Sequence, residues 1–138
     1  MLIALHDVEN RCHRIANEWF AREGRKGWAT CPLTENGFVR IASNIGLPER
    51  VQGISASMYL LESLVRTYGS THRFWPDSVS LRDKTLLNEA AIRGPKQITD
   101  VYLLALCQRN GGVLVTLDTR ITVASIVDPH PELLRILR

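Results

Sequence analysis

Three carboxylates in this 138-residue chain stand where an acid can do chemistry: Glu35, Asp100 and Asp118. Glu35 falls in the first turn of the helix expected after the β-prone run Trp28-Ala29-Thr30-Cys31. Asp100 falls in the first turn of a helix that follows a Gly94-Pro95 turn, and Asp118 directly follows the apolar run Val113-Leu114-Val115-Thr116-Leu117. In an open parallel sheet, the carboxyl ends of strands and the starts of the following helices line one edge, where ligands bind. Hard divalent cations take oxygen ligands, usually a few carboxylates with water and substrate phosphates. A cation held by such acids acidifies water and stabilises charge on a transferring phosphate. The wide separation of the three acids along the chain suits a site assembled by folding.

Simpler readings stand beside this one. An acid in a first helical turn stabilises the helix dipole by about 0.3–1 kcal/mol, which would account for Glu35 and Asp100 without any ligand. Asp118 fits a turn equally well. Spacing alone leaves both readings open.

The elements that must position these acids can be read from periodicity. From Asn10 to Glu23, residues Ile15, Ala16, Trp19 and Phe20 mark one apolar helix face, closed by Gly24 and Gly27. Trp28–Cys31 reads as a strand stopped by Pro32. Thr34 then reads as the N-cap of a helix through Phe38, Val39 and Ile41 that ends near Asn44. Leu47-Pro48-Glu49 opens another helix, with Val51, Ile54, Met58, Leu61 and Val65 on its expected buried side. His72-Arg73-Phe74-Trp75 is a candidate strand before Pro76, and a helix is expected around Leu81 to Ala91. Thr99 is expected to cap a helix from Asp100 to Arg109 that ends at Asn110-Gly111-Gly112. Val113–Leu117 is the clearest strand, of the buried parallel type. The tail, Ile121 to Val127 and then Pro131 to Leu137, is expected to add a last strand and a short helix. Helices alternating with short strands predict a layered, parallel α/β sheet in a single domain over residues 1–138.

Composition narrows the class. A chain of 138 residues with 45% hydrophobic and 22% charged residues is an ordinary globular size and balance, which argues against disorder. No apolar stretch approaches the roughly 20 residues of a membrane span, and the start lacks the basic n-region of a secretory signal. A cytoplasmic protein with no membrane partner is the expectation. The net charge of +3 is compatible with a polyanionic partner without demanding one. Of the 17 basic residues, 14 are arginine, which suits phosphate recognition and equally reflects a GC-rich genome. Cys12, Cys31 and Cys107 are odd in number and lack CxxC spacing, so they read as free, buried thiols.

Four blocks carry a resemblance: Ala29-Thr30-Cys31-Pro32-Leu33-Thr34-Glu35-Asn36-Gly37-Phe38-Val39-Arg40, His72-Arg73-Phe74-Trp75-Pro76-Asp77, Gln97-Ile98-Thr99-Asp100-Val101-Tyr102-Leu103-Leu104-Ala105-Leu106, and Gly111-Gly112-Val113-Leu114-Val115-Thr116-Leu117-Asp118. In this order they strongly resemble PIN-domain ribonucleases of the VapC toxin type. The resemblance implies a Rossmann-like parallel sheet flanked by helices. It also implies an endoribonuclease dependent on Mg²⁺ or Mn²⁺, the toxin of a type II toxin–antitoxin pair, commonly a homodimer silenced by a cognate antitoxin. Carried over position by position, Glu35, Asp100 and Asp118 match the family's acidic metal-site positions. Thr99 matches a supporting hydroxyl, and Thr34 is a weaker match of the same kind.

The chain departs from the family pattern at its start. The family opens with a strand and an Asp-x-Asn or similar element whose aspartate is a principal metal ligand. Here Met1 stands where that motif should be ending, and Asp7 falls too late to replace it. The first strand is therefore expected to be missing from residues 1–138, through a start chosen internally or a gene truly shortened. Loss of an inner strand would leave its neighbours with unpaired backbone groups.

Other residues add little. His6, His13, His72 and His130 lack metal-ligand spacing and read as surface or packing residues. Trp19, Trp28 and Trp75 suit core positions better than a base-stacking platform. Arg40 reads as solvated, and no Walker loop, GxGxxG or GxSxG is present. The leading expectation is in-line hydrolysis of an RNA phosphodiester by metal-activated water. The alternatives are a catalytically dead PIN module that binds an antitoxin or a full-length copy, and a regulatory α/β domain whose acids are only caps.

Overall fold

A computed structural model describes residues 1–45 and 53–138. They form two compact units, Met1–Asp77 and Ser78–Arg138. No helix among the described residues is long and apolar enough to cross a membrane.

In the first unit, Leu2–His6 forms the short helix α1 and His13–Arg22 forms α2. Helix α2 starts three residues later than its apolar periodicity suggests, because Asn10 turns the chain first and accepts the Cys12 N–H on its side chain. Its expected face holds: Ala16 and Phe20 are buried. Gly24 then brings the backbone against that face. A Cβ there would meet Phe20 at 2.5 Å and Trp19 at 2.8 Å, so any larger residue must displace those rings. Strand β1, Trp28–Thr30, pairs in parallel with β2, His72–Phe74, in the register Trp28 with His72 and Thr30 with Phe74.

Helix α3, Pro32–Ile45, connects to the end of β1, and α4 spans Ile54–Thr67. Pro32, read above as a strand stop, is the first helical residue, where its missing N–H costs nothing. Thr34 is consequently not the N-cap. It lies one turn in and reaches back, its Oγ1 accepting the Cys31 N–H at 2.9 Å. Phe38 and Ala42 anchor a small core against Leu2, Ile3, Val39, Leu60 and Leu61. Where α3 meets α4, the Ser43 and Ser57 hydroxyls lie 3.1 Å apart, each beside the carbonyl four residues before it. On α4, Ile54 and Met58 are exposed at 64% and 57%, against their expected burial, while Leu61 and Val65 are half-buried. The helix start expected at Leu47-Pro48-Glu49, and Val51 with it, lie outside the described residues.

In the second unit, no α-helix forms over Leu81 to Ala91; only Glu89–Ala91 makes a 3₁₀ turn. Asp83 explains the difference. Its carboxylate takes both the backbone N–H and the hydroxyl of Thr85, a local turn that competes with helix. Leu87 is then drawn into an antiparallel bridge with Ile126. Pro95–Gln97 forms a further 3₁₀ turn leading into α5, Ile98–Asn110. Helix α5 starts one residue before Thr99, so Thr99 is an exposed first-turn residue and not the cap. Val101 and Leu104 to Cys107 are buried, so α5 is apolar nearly all round, as a core helix must be. It ends as expected: Gly111 takes φ 63° and the Gly112 N–H returns to the Cys107 carbonyl at 2.9 Å.

Strand β3, Leu114–Thr116, pairs in parallel with β4, Leu134–Ile136. Its residues are half-buried, less enclosed than an all-apolar run suggests. The tail reverses the expected order, with the 3₁₀ turn Val123–Ser125 first and the strand last. Each unit thus contains a two-stranded parallel ladder, the pairing expected of this α/β chain.

Candidate functional site

Glu35 sits on the first turn of α3, and its backbone N–H bonds to the Cys31 carbonyl at 3.0 Å. Its Oε1 accepts a hydrogen bond from Thr30 Oγ1 at 2.6 Å, within the range of charge-assisted O–H···O⁻ contacts. Thr30 ends β1 with 2% exposure, and its hydroxyl also lies 2.8 Å from His72 Nε2 on β2. Parallel register produces this cluster. Trp28 and Thr30 share one face of β1, and His72, paired with Trp28, lies between the Trp28 ring at 4.4 Å and the Thr30 hydroxyl. Burial lowers the His72 pKa, partly offset by the negative charge of Glu35. An open groove of about 810 Å³ between α3 and α4 runs past Glu35, Arg40, Met58 and Leu61.

Asp100, on the first turn of α5, and Asp118, after β3, line one cavity of about 160 Å³ together with Arg120. Asp100 is half-buried. Burial and then the charge of Asp118 push its pKa up, against a smaller opposing pull from Arg120. Asp118 behaves in the opposite way. It takes Arg120 Nη2 on Oδ2 at 2.7 Å and Arg120 Nε on Oδ1 at 3.0 Å, and the Arg120 backbone N–H also reaches Oδ1 at 2.9 Å. These bonds hold its pKa at about 2. The turn reading of Asp118 is therefore realised, and it coexists with a place in the cavity.

Glu35 and Asp100 both stand on first helical turns, where the capping reading also puts them. Glu35 Oε1 also accepts the Thr30 hydroxyl, and burial with the Asp118 charge makes ionisation harder for Asp100.

The chain is 41% identical to Ribonuclease VapC38 of Mycobacterium tuberculosis (strain ATCC 25618 / H37Rv), over 99% of the chain and 94% of that protein. It is 34% identical to Ribonuclease VapC44 of the same strain, over 91% of the chain and 87% of that protein. With Ribonuclease VapC39 the figures are 36%, 86% and 84%. The chain belongs to the VapC ribonuclease family. No family model matches it, and no solved structure matches it significantly. VapC membership implies a PIN fold, and the helices with short parallel strands of both units agree with that.

Of the acids matched to VapC positions, Asp100 and Asp118 are brought together in one cavity, while Glu35 stands in the hydrogen-bonded cluster of the first unit. Among the described residues, no set of three His, Cys, Asp or Glu side chains is gathered as metal ligands. The pair still fits a hard divalent cation by its chemistry. Two carboxylates suffice for Mg²⁺ alongside water and phosphate oxygens, and the strain between the Asp100 and Asp118 charges is one that a cation would relieve. Thr34 is tied to Cys31, and among the described residues no hydrogen bond joins Thr99 to Asp100.

Sequence reasoning missed three participants. Thr30 was readable only as part of a strand. His72 lacks metal-ligand spacing, and its place depends on strand register. Arg120 carried one usable signal, its position two residues after Asp118 in a turn.

Proposed function

We propose that this chain is a Mg²⁺- or Mn²⁺-dependent endoribonuclease acting as a single PIN domain, the toxin half of a type II toxin–antitoxin pair. The observation that carries the reading is the Asp100–Asp118 pair: two acids line one cavity, where burial and then the charge of Asp118 make ionisation harder for Asp100. Membership in a family whose relatives are named ribonucleases supports RNA as the substrate. Asp100 and Asp118 would hold the cation; Glu35 matches the family's further acidic position by sequence alone. When bound, the cation supplies positive charge for phosphate oxygens and acidifies water. The Arg120 fork holds Asp118 ionised, burial and the Asp118 charge make Asp100 easier to protonate than a free aspartate, and exposed Thr99, on the first turn of α5, would orient water or substrate. A cytoplasmic homodimer silenced by a cognate antitoxin belongs to the same proposal.

A second reading is a catalytically silent PIN module that pairs with an antitoxin or a full-length copy. It is favoured by the Arg120 fork, which engages both Asp118 oxygens.

Cleavage of a single-stranded RNA panel with Mg²⁺ or Mn²⁺ separates the two. This chain is assayed beside a version extended upstream in frame, with EDTA and Asp100→Asn as controls. Metal-dependent cutting by either version, lost in Asp100→Asn, supports the nuclease. If only the extended version cuts, the family's first-strand aspartate is required. If neither cuts while both fold and bind a protein partner, the silent module replaces the nuclease.

A further inference from the structure

We propose that Ser125 and Lys96 form a phosphate subsite in the cavity of the second unit, holding an RNA backbone phosphate beside Asp100 and Asp118. The inference rests on the reading of this cavity as the nuclease site, and it involves residues of Ser78–Arg138 alone.

Ser125 lines the cavity and is 4% exposed, yet its hydroxyl has no hydrogen-bond partner among the described residues. A buried hydroxyl left unpaired is costly, so it marks a place where a group from outside the chain completes the bonding. The backbone around Ser125 is tied down, which keeps the hydroxyl at the cavity. The Ser125 carbonyl accepts the Asn88 N–H at 2.9 Å, and the Ile126 N–H closes the 3₁₀ turn on the Val123 carbonyl at 2.9 Å. The Val127 N–H reaches the Leu86 carbonyl at 3.0 Å, beside the bridge between Leu87 and Ile126.

The rest of the cavity gives the missing partner its chemistry. Lys96, on the turn that leads into α5, is exposed and lines the same space, and no ion pair among the described residues engages it. Helix α5 starts beside it without a side-chain cap hydrogen bond, and the N-terminal end of a helix favours an anion. The Arg120 fork offsets Asp118, which leaves the Lys96 ammonium against Asp100. A hydroxyl, an ammonium and a helix start are the groups that hold phosphate oxygens. A nucleobase would complete the hydroxyl but bring the ammonium no counter-charge. The volume of about 160 Å³ is several times the ~30 Å³ share of a water in the liquid, room for a phosphate group.

Fluorescence anisotropy with a 2′-O-methyl oligoribonucleotide in EDTA tests the subsite without metal or cleavage. Asp100→Asn removes one negative charge from the cavity, should bind several-fold tighter than the unmodified chain, and serves as the background. In it, Ser125→Ala should weaken binding roughly ten-fold, the loss of a hydrogen bond to a charged group. This substitution leaves the net charge unchanged, so the loss cannot come from the basic surface at large. Lys96→Met should also weaken binding and lower the slope of log affinity against log salt by about 0.7, whereas Lys96→Arg should keep both. The Tm of Ser125→Ala should be unchanged or higher, because an unpaired hydroxyl is removed.

Unchanged affinity in Ser125→Ala would overturn the subsite and leave the hydroxyl to water alone. A lower Tm in Ser125→Ala would overturn it too, by giving the hydroxyl a role in the fold. Absence of binding by Asp100→Asn would have the same force. Cleavage bears separately on the nuclease reading. A chain that cuts RNA while Ser125→Ala binds it normally keeps the nuclease and loses the subsite. One that binds RNA through Ser125 and never cuts keeps the subsite and loses the nuclease.

Discussion

Asp118 receives both arms of the Arg120 guanidinium, at 2.7 and 3.0 Å, while burial and then the charge of that carboxylate make ionisation harder for Asp100 in the cavity they share. One acid is thereby held charged and its neighbour is pushed toward the protonated form. This asymmetry governs how the site should respond to substitution.

Asp100→Asn should abolish metal-dependent cleavage and at the same time stabilise the fold. The sign follows from linkage. A carboxyl whose pKa is raised on folding binds its proton more tightly in the native state, so its contribution falls as pH rises through the unfolded value and reaches its full cost above the folded one. At neutral pH the asparagine removes that cost. Partial exposure limits the gain to about 1 kcal/mol or less. Thermal unfolding at pH 7 should show a higher Tm for the variant, and the gain should vanish near pH 3. A lower Tm at pH 7 would mean that ionised Asp100 stabilises the native state.

Arg120→Ala should release Asp118. Its pKa, held at about 2, should climb toward the ordinary aspartate value of about 3.9, as read by NMR titration of the side-chain carboxyl. The lowered pKa contributes stability that is present above the unfolded value and is lost as pH falls through the folded one. Acid unfolding should therefore begin at a higher pH in the variant. With the competing cation gone, Mn²⁺ affinity should rise a few-fold. An unmoved Asp118 pKa would show that the ion pair is not populated in solution.

Gly24 and Gly111 should respond differently to alanine. At Gly111 a Cβ meets nothing within 4 Å, so Gly111→Ala carries only the strain of φ 63°, about 1 kcal/mol. At Gly24 the Cβ would overlap the Phe20 and Trp19 rings, and the cost should reach about 1–3 kcal/mol through displaced core packing. Urea unfolding of both variants measures the difference. Equal losses would mean that the Phe20 face yields freely.

A single PIN domain should unfold in one step. Trp19, Trp28 and Trp75 all belong to Met1–Asp77, so tryptophan fluorescence follows that unit alone, whereas far-ultraviolet circular dichroism follows both. Coincident denaturant midpoints are expected of one cooperative domain. Two separated midpoints would make the units independent.

Much of this protein was legible along the chain because the signals are local. The apolar face of α2, the body of α3 and the end of α5 at Gly111 follow from periodicity and from one glycine able to take positive φ. The strands Trp28–Thr30, His72–Phe74 and Leu114–Thr116 stand where β-prone runs meet turn residues. The four blocks, in family order, marked the VapC relationship, and Glu35 and Asp100 stand on first helical turns as their position after turns and strands required.

What the chain could not express was competition between local and tertiary bonds. Leu81 to Ala91 has a helix-compatible composition, yet the Asp83 turn and the bridge from Leu87 to Ile126 take its backbone elsewhere. Ile54 and Met58 continue a helical stripe, but α4 leaves them exposed. Thr30 and His72, 42 positions apart, meet only because parallel register sets Trp28 opposite His72. Asp100 and Asp118 become an unequal pair only when α5 and the end of β3 line the same cavity, where burial and repulsion act on one and the Arg120 fork on the other. Residue type determined which groups were able to do chemistry. The tertiary structure decided which of them share a hydrogen bond or a field, because both depend on distances across the fold that spacing along the chain does not contain.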